Sequence, residues 1–156
     1  MTDGASVSRF LADEEATLAL GASWVKSLSA PLVVYLQGDL GAGKTTFTRG
    51  LLRGFGHQGA VKSPTYAIVE SYPLTGFTLH HFDLYRFSTP EEWEDAGLDD
   101  LFDGQNVCLI EWPQQGGEFT PAADITLSLN HAEHGRTVTF TAHTTHGRKS
   151  LEAWLN

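Results

Sequence analysis

The sequence predicts an α/β fold of three layers, with a mixed central sheet of parallel core strands plus antiparallel hairpins, and three observations predict it. Residues 32–36 are five apolar or aromatic side chains that run straight into Gly38-Asp-Leu-Gly-Ala-Gly-Lys-Thr45, and an amphipathic stretch, residues 46–55, runs straight out. Residues 107–110 are a second apolar run, ended by Glu111, which is the pattern of a strand buried on both faces. Two further stretches alternate apolar and polar residues on either side of turn signals, as hairpins do. The octapeptide fits GxxxxGK[ST] with Gly38, Gly43, Lys44 and Thr45 at its fixed positions. By chance that pattern arises in on the order of one in a few hundred chains of this length. Strand, phosphate-binding loop and helix in that order narrow the expectation to a P-loop NTPase-like fold, in a single domain over 1–156.

Each element has its own signal. Asp13, Glu14 and Glu15 precede Leu18, Ala22, Val25 and Leu28, which are spaced like one helical face with acids at its positive end. Pro31 closes that helix and a strand follows over 32–37. The helix after the loop carries Phe47, Leu51, Leu52 and Phe55 inward and stops at Gly56. Residues 59–65 form a polar connection. Strands are expected over 66–72 and 77–83, joined by Pro73-Leu-Thr-Gly76. Thr89-Pro-Glu-Glu92 is a capping box with proline at the first helical position, opening a short helix to Ala96, with a further turn over 98–102. Ile125, Leu127 and Leu129, then Val138, Phe140 and Ala142, form a hairpin placed at one end of the sheet. Leu151, Trp154 and Leu155 suit a short docking helix.

Composition bounds the function. A charged content of 19% and a hydrophobic content of 41% are ordinary for a globular domain of 156 residues. No apolar run approaches the ~20 residues of a membrane span, and the first ten residues lack a secretory core, so a cytoplasmic protein is expected. The net charge of −9 opposes broad nucleic-acid binding, which needs a basic footprint; contact with RNA is expected through a partner. The single cysteine, Cys108, sits in an apolar run and reads as a buried, inert thiol. Seven histidines raise the question of a metal site. His80 and His81 are adjacent in an expected strand and so point to opposite faces, and the others read as solvated.

The loop dictates chemistry. Successive backbone N–H groups and the positive end of the following helix hold a polyphosphate. Gly38, Gly41 and Gly43 let phosphate approach, Lys44 reaches the β- and γ-phosphates, and the Thr45 hydroxyl ligates magnesium. Hydrolysis needs more. Asp83 and Glu111 each end an apolar strand, where open α/β sheets place their ligands, so either can face the metal held at Thr45. The segment from Lys62 to Thr65 leaves the loop helix with two hydroxyls, Ser63 and Thr65, and is the candidate sensor of the γ-phosphate. Trp112, directly after Glu111, is placed to stack on a base or a partner, whereas Trp93, on a capped helix, is a packing residue.

Four separated stretches, Gly38-DLGAGKTT46, Val61-KSPTY66, His81-FDLYR86 and Ile110-EWPQQG116, together resemble the bacterial TsaE family (formerly YjeE), the ATPase of tRNA threonylcarbamoyladenosine synthesis. The resemblance implies ATP and Mg2+ at the loop, through Gly38, Asp39, Gly41, Ala42, Gly43, Lys44, Thr45 and Thr46, with Thr45 and Glu111 as metal ligands. It implies a role for Asp83 in hydrolysis and at the metal, and nucleotide contacts from Glu14, Thr17 and Arg136. It also implies two partners, the threonylcarbamoyl transferase TsaD and its non-catalytic paralogue TsaB, in a complex that ATP hydrolysis resets between turnovers and that modifies adenosine 37. Two rival functions stand beside this one. A small-molecule P-loop kinase would bring several arginines over the phosphate, and after the loop helix this chain has Arg86, Arg136 and Arg148. A non-catalytic nucleotide-sensing module would bind without useful turnover.

Overall fold

A computed structural model describes residues 6–39 and 41–156. The sheet is mixed and has seven strands: β1 (Ser6–Leu11), β2 (Leu32–Gly38), β3 (Val69–Pro73), β4 (Thr78–Asp83), β5 (Val107–Glu111), β6 (Ile125–Ala132) and β7 (Gly135–Ala142). Their spatial order is β1-β7-β6-β2-β5-β4-β3. The core is parallel, because β2 pairs in parallel with both β5 and β6, and β4 with β5. Hairpins β3–β4 and β6–β7 supply the antiparallel pairs, and β1 adds a third to β7. Helices α1 (Glu14–Ser23), α2 (Lys44–Gly54) and α4 (Thr145–Leu155) cover one face, while α3 (Glu92–Asp95) and short 3-10 turns cover the other. The expected three-layer α/β architecture is the one observed. No described helix is long and apolar enough to cross a membrane.

Alternation along the strands builds two cores. Leu32, Val34 and Leu36 of β2 face α2 with Leu127, Leu129 and Phe140, while Val33 and Tyr35 face the second cluster, around Phe82, Trp93 and Ile110. Trp93 is fully buried there and donates its indole N–H to Asp99 at 2.7 Å. Cys108 lies in the same cluster, and burial, with Asp103 nearby, pushes its thiol up to about 12. Native protein at pH 8 should therefore resist a thiol reagent that labels it at once in denaturant; rapid labelling of the folded chain would contradict this packing.

The structure corrects five expectations. The buried face of α1 and the turn after it is Thr17, Gly21, Trp24 and Leu28, one residue round from Leu18, Ala22 and Val25. The reason is close approach between backbones: a Cβ on Gly21 would stand 2.3 Å from the carbonyl oxygen of Phe47, and one on Gly50 would stand 2.2 Å from that of Leu18. Only glycine allows α1 to lie so near α2. Gly50→Ala should therefore destabilise the fold by about 1–3 kcal/mol despite alanine's better helix propensity. A lowered urea midpoint at unchanged slope would show this, and an unchanged midpoint would contradict it.

The hairpin β6–β7 is not at the end of the sheet, because β1 lies beyond β7, joined partly by hydroxyl pairs Ser6–Thr141 and Ser8–Thr139 at 2.9 Å. Residues 6–10 are all exposed, so this edge strand has no buried face to impose an apolar alternation on its sequence. Strand β3 begins at Val69, since residues 65–67 turn and Ile68 takes a positive φ of 71° while its N–H bonds Pro64. Helix α4 starts six residues before its apolar contacts, capped by the Thr144 hydroxyl. Its Trp154 stacks on Trp24 with ring centroids 4.1 Å apart, a pairing that contributes about 0.5–1.5 kcal/mol beyond its buried area. Of the capping box only one half is seen: Glu92 accepts from the backbone N–H groups of Ser88 and Thr89, and the helix it opens is a single turn.

Candidate nucleotide site

Strand β2 delivers the chain to the phosphate loop at Gly38. That position requires glycine twice over, with φ at 142° and a hypothetical Cβ only 2.1 Å from the carbonyl oxygen of Leu129. Gly43, at φ 110°, precedes the first turn of α2, where Thr45 and Thr46 open onto a cleft of about 510 Å³. The first N–H groups of a helix have no partner within it, so this turn presents donors and a positive dipole end to the cleft.

Two carboxylates line the cleft from β4 and β5. Asp83 and Glu111 are register partners at the carboxyl ends of parallel β4 and β5, and both are buried. Glu111 is reached from two sides: Lys44 Nζ lies 3.5 Å from Oε1, and His81 Nε2 lies 2.6 Å from Oε2. Lys44 also donates to the carbonyl oxygen of Gly38 at 2.8 Å and stands 5.1 Å above the Trp112 ring. Its charge is thus engaged inside the protein, folded back toward its own loop. Trp112 takes a left-handed conformation, φ 56°, which turns the chain out of β5, and Tyr85 packs on it at 5.0 Å.

Asp83 caps the turn after its strand, accepting the Tyr85 N–H at 2.9 Å, and with its other oxygen it accepts the Thr65 hydroxyl at 2.9 Å. Thr65 has its single proton committed there, so in the 2.8 Å contact with Ser63 it is Ser63 that donates. The two hydroxyls of the connection therefore form a donor chain ending on a strand-end acid. Asp83 thus caps the turn after its strand and also lines the cleft.

Most of the residues singled out from the sequence converge. Glu14, Thr17, Gly41, Gly43, Lys44, Thr45, Thr46, Ser63, Thr65, Asp83, Glu111 and Arg136 all line the first cleft. Arg136, at the β6–β7 turn, donates to the carbonyl oxygens of Ala42 and Gly41, each at 3.2 Å, so it braces the outside of the loop. Ala42 is wholly buried and packs into the core. Gly38, Asp39 and Trp112 instead open onto a second cleft, of about 530 Å³, which Lys44 also lines. In the sequence His81 reads only as half of an adjacent histidine pair, which hides its place at the site. Strand alternation carried the signal, since His81 shares a face with Asp83.

A family model described as "Threonylcarbamoyl adenosine biosynthesis protein TsaE" matches residues 11–138. The chain belongs to the TsaE family. A tRNA threonylcarbamoyladenosine biosynthesis protein TsaE from Haemophilus influenzae is 42% identical over 156 residues, covering 97% of this chain and 99% of that one. Its namesake from Bacillus subtilis is 44% identical over 111 residues, covering 70% and 69%. The crystal structure of Bacillus subtilis YdiB superposes with a TM-score of 0.82 at 29% identity, covering 99% of this chain and 97% of that one. The matched residues include Gly38 to Thr45, both strand-end acids and the Ser63–Thr65 connection, so the family match and the cleft fall on the same part of the chain.

Proposed function

We propose that this chain is a magnesium-dependent ATPase subunit required for tRNA N6-threonylcarbamoyladenosine modification, acting as a switch that resets a complex of the transferase TsaD and its paralogue TsaB. The observation that carries the reading is the phosphate loop facing two buried carboxylates in register, in a chain of the TsaE family.

The donor set fits Mg2+ and ATP. Magnesium is held by one or two carboxylates together with substrate phosphates, so it needs no cage of protein ligands. Among the described residues no group of three or more His, Cys, Asp or Glu side chains forms one. Thr45 and Glu111 would hold the ion, with Asp83 beside Glu111. Bound there, the ion would supply positive charge that offsets the negative charge of the transferred phosphoryl group.

The chain's own residues do the rest. The loop N–H groups and the first turn of α2 bind the phosphates. Lys44 must leave Gly38 and Glu111 to reach them, and that movement frees Oε1 of Glu111. Thr65, tied to Asp83, places the 61–65 connection at the edge of the cleft, where arrival or loss of the γ-phosphate shifts it. Such a device favours one partner-binding state over another only by its differential contacts with the γ-phosphate, which is the energetic meaning of a switch. The kinase reading is short of arginines: among the described residues only Arg136 lines the cleft, held on the loop's carbonyl oxygens, while Arg148 pairs with Glu152 on α4 and Arg86 lies 4.0 Å over the Tyr66 ring. Cells deprived of the protein should yield tRNA digests without threonylcarbamoyladenosine, restored by the native gene but not by one encoding Lys44→Ala. Unchanged nucleoside content would refute the assignment.

A further inference from the structure

His81 is fully buried on β4, against the carboxylate that the reading above assigns to the metal. Glu111, as a carboxylate, only accepts, so the 2.6 Å contact is a hydrogen bond from His81 Nε2–H to Oε2. The other oxygen, Oε1, faces Lys44. The two oxygens of Glu111 therefore have partners of different kinds, one ring packed in the sheet and one flexible ammonium.

Architecture alone does not account for that ring. His80, next to it on the opposite face, uses both nitrogens, with Ser71 Oγ 2.7 Å from Nδ1 and Asn106 Nδ2 3.3 Å from Nε2. Nδ1 of His81 has no hydrogen-bond partner among the described residues. Its polar engagement is wholly with Glu111, at a strand position that an apolar side chain would also fill.

We propose that His81 is a positioning residue for metal binding: through Nε2–H it holds Oε2 of Glu111, so that Oε1 alone turns to the cation when Lys44 moves to the phosphates. The proposal rests on Glu111 contacting the metal. A hydrogen-bonded carboxylate ligand keeps one orientation, and loss of such outer partners lowers metal affinity or activity by about 10–100-fold.

The test uses Mn2+ as the probe, read by electron paramagnetic resonance on the full chain saturated with a non-hydrolysable ATP analogue. Affinity for the analogue in EDTA is measured separately. His81→Leu should weaken Mn2+ binding by about 10–100-fold and leave metal-free analogue binding little changed. His81→Gln, whose amide N–H reaches the same oxygen, should retain Mn2+ affinity. In a Glu111→Ala background His81→Leu should cost nothing further, as expected of two residues that act through one contact. An equal loss in that background, unchanged affinity in His81→Leu, or a glutamine variant as weak as the leucine one would each overturn the proposal. Should His81→Leu fail to fold, His81→Asn, too short to reach, replaces it, and equal Mn2+ affinity in the asparagine and glutamine variants overturns the proposal. If Glu111→Ala binds Mn2+ like the native chain, the metal role of Glu111 fails and His81 with it. A Glu111-dependent site indifferent to His81 removes His81 alone.

Discussion

Replacing Lys44 with alanine is expected to lower ATP affinity by about 10- to 100-fold, because a hydrogen bond to a charged group contributes roughly 1.5–3 kcal/mol. No other lysine or arginine of the phosphate loop faces the cleft: Arg136 comes from the β6–β7 turn and is occupied with the loop's carbonyl oxygens. The fold should survive the change. The ammonium that is lost holds the Gly38 carbonyl and one oxygen of Glu111, and Glu111 keeps its hydrogen bond from His81. Titration with a fluorescent ATP analogue, alongside a thermal melt, separates the two effects. Undiminished binding by a folded Lys44→Ala chain would contradict the phosphate-loop reading.

Glu111→Ala is expected to do the opposite. It removes the partner that competes with phosphate for Lys44, so metal-free nucleotide binding should be unchanged or tighter. Turnover at saturating magnesium should fall on the order of a hundredfold, the loss expected when a metal's placement is disturbed. The alanine also leaves the buried His81 N–H without an acceptor, at a cost of about 1–3 kcal/mol in stability. Glu111→Gln keeps that acceptor and serves as the control: it should melt near the native chain and still hydrolyse slowly. A Glu111→Ala variant that turned over ATP at the native rate would remove Glu111 from the metal site. The pair of variants thus divides the site, Lys44 acting on binding and Glu111 on turnover.

What could be read in the sequence was what is encoded locally. The phosphate loop, its strand and its helix follow from contiguous residues, and so do β5, the turn at residues 73–76 and the β6–β7 alternation. Strand β1 could not be read, because an edge strand held by Ser–Thr pairs has no apolar rhythm and exists only where β7 offers an edge. The burial of Gly21 in place of Ala22 depends on Gly50, nearly thirty residues away, so neither glycine signals it alone. Helix α4 is fixed by Trp154 meeting Trp24, again a distant pair. Within the site, the acids were legible as strand ends. Their partners were not: Thr65 on Asp83 depends on how the 61–65 connection folds back, and His81 on Glu111 depends on which strand lies beside β5. Asp39 lies in the loop and Trp112 directly after Glu111 in sequence, yet both open onto the second cleft.

Phosphate release from magnesium-ATP, measured with this chain alone and then with the TsaD and TsaB pair added, decides whether the chain is a partner-controlled ATPase. Slow release alone, a partner-dependent rise, and loss of that rise with Lys44→Ala are expected. Release that the partners leave unchanged, or that persists in Lys44→Ala, would contradict a switch ATPase acting on the tRNA-modifying complex.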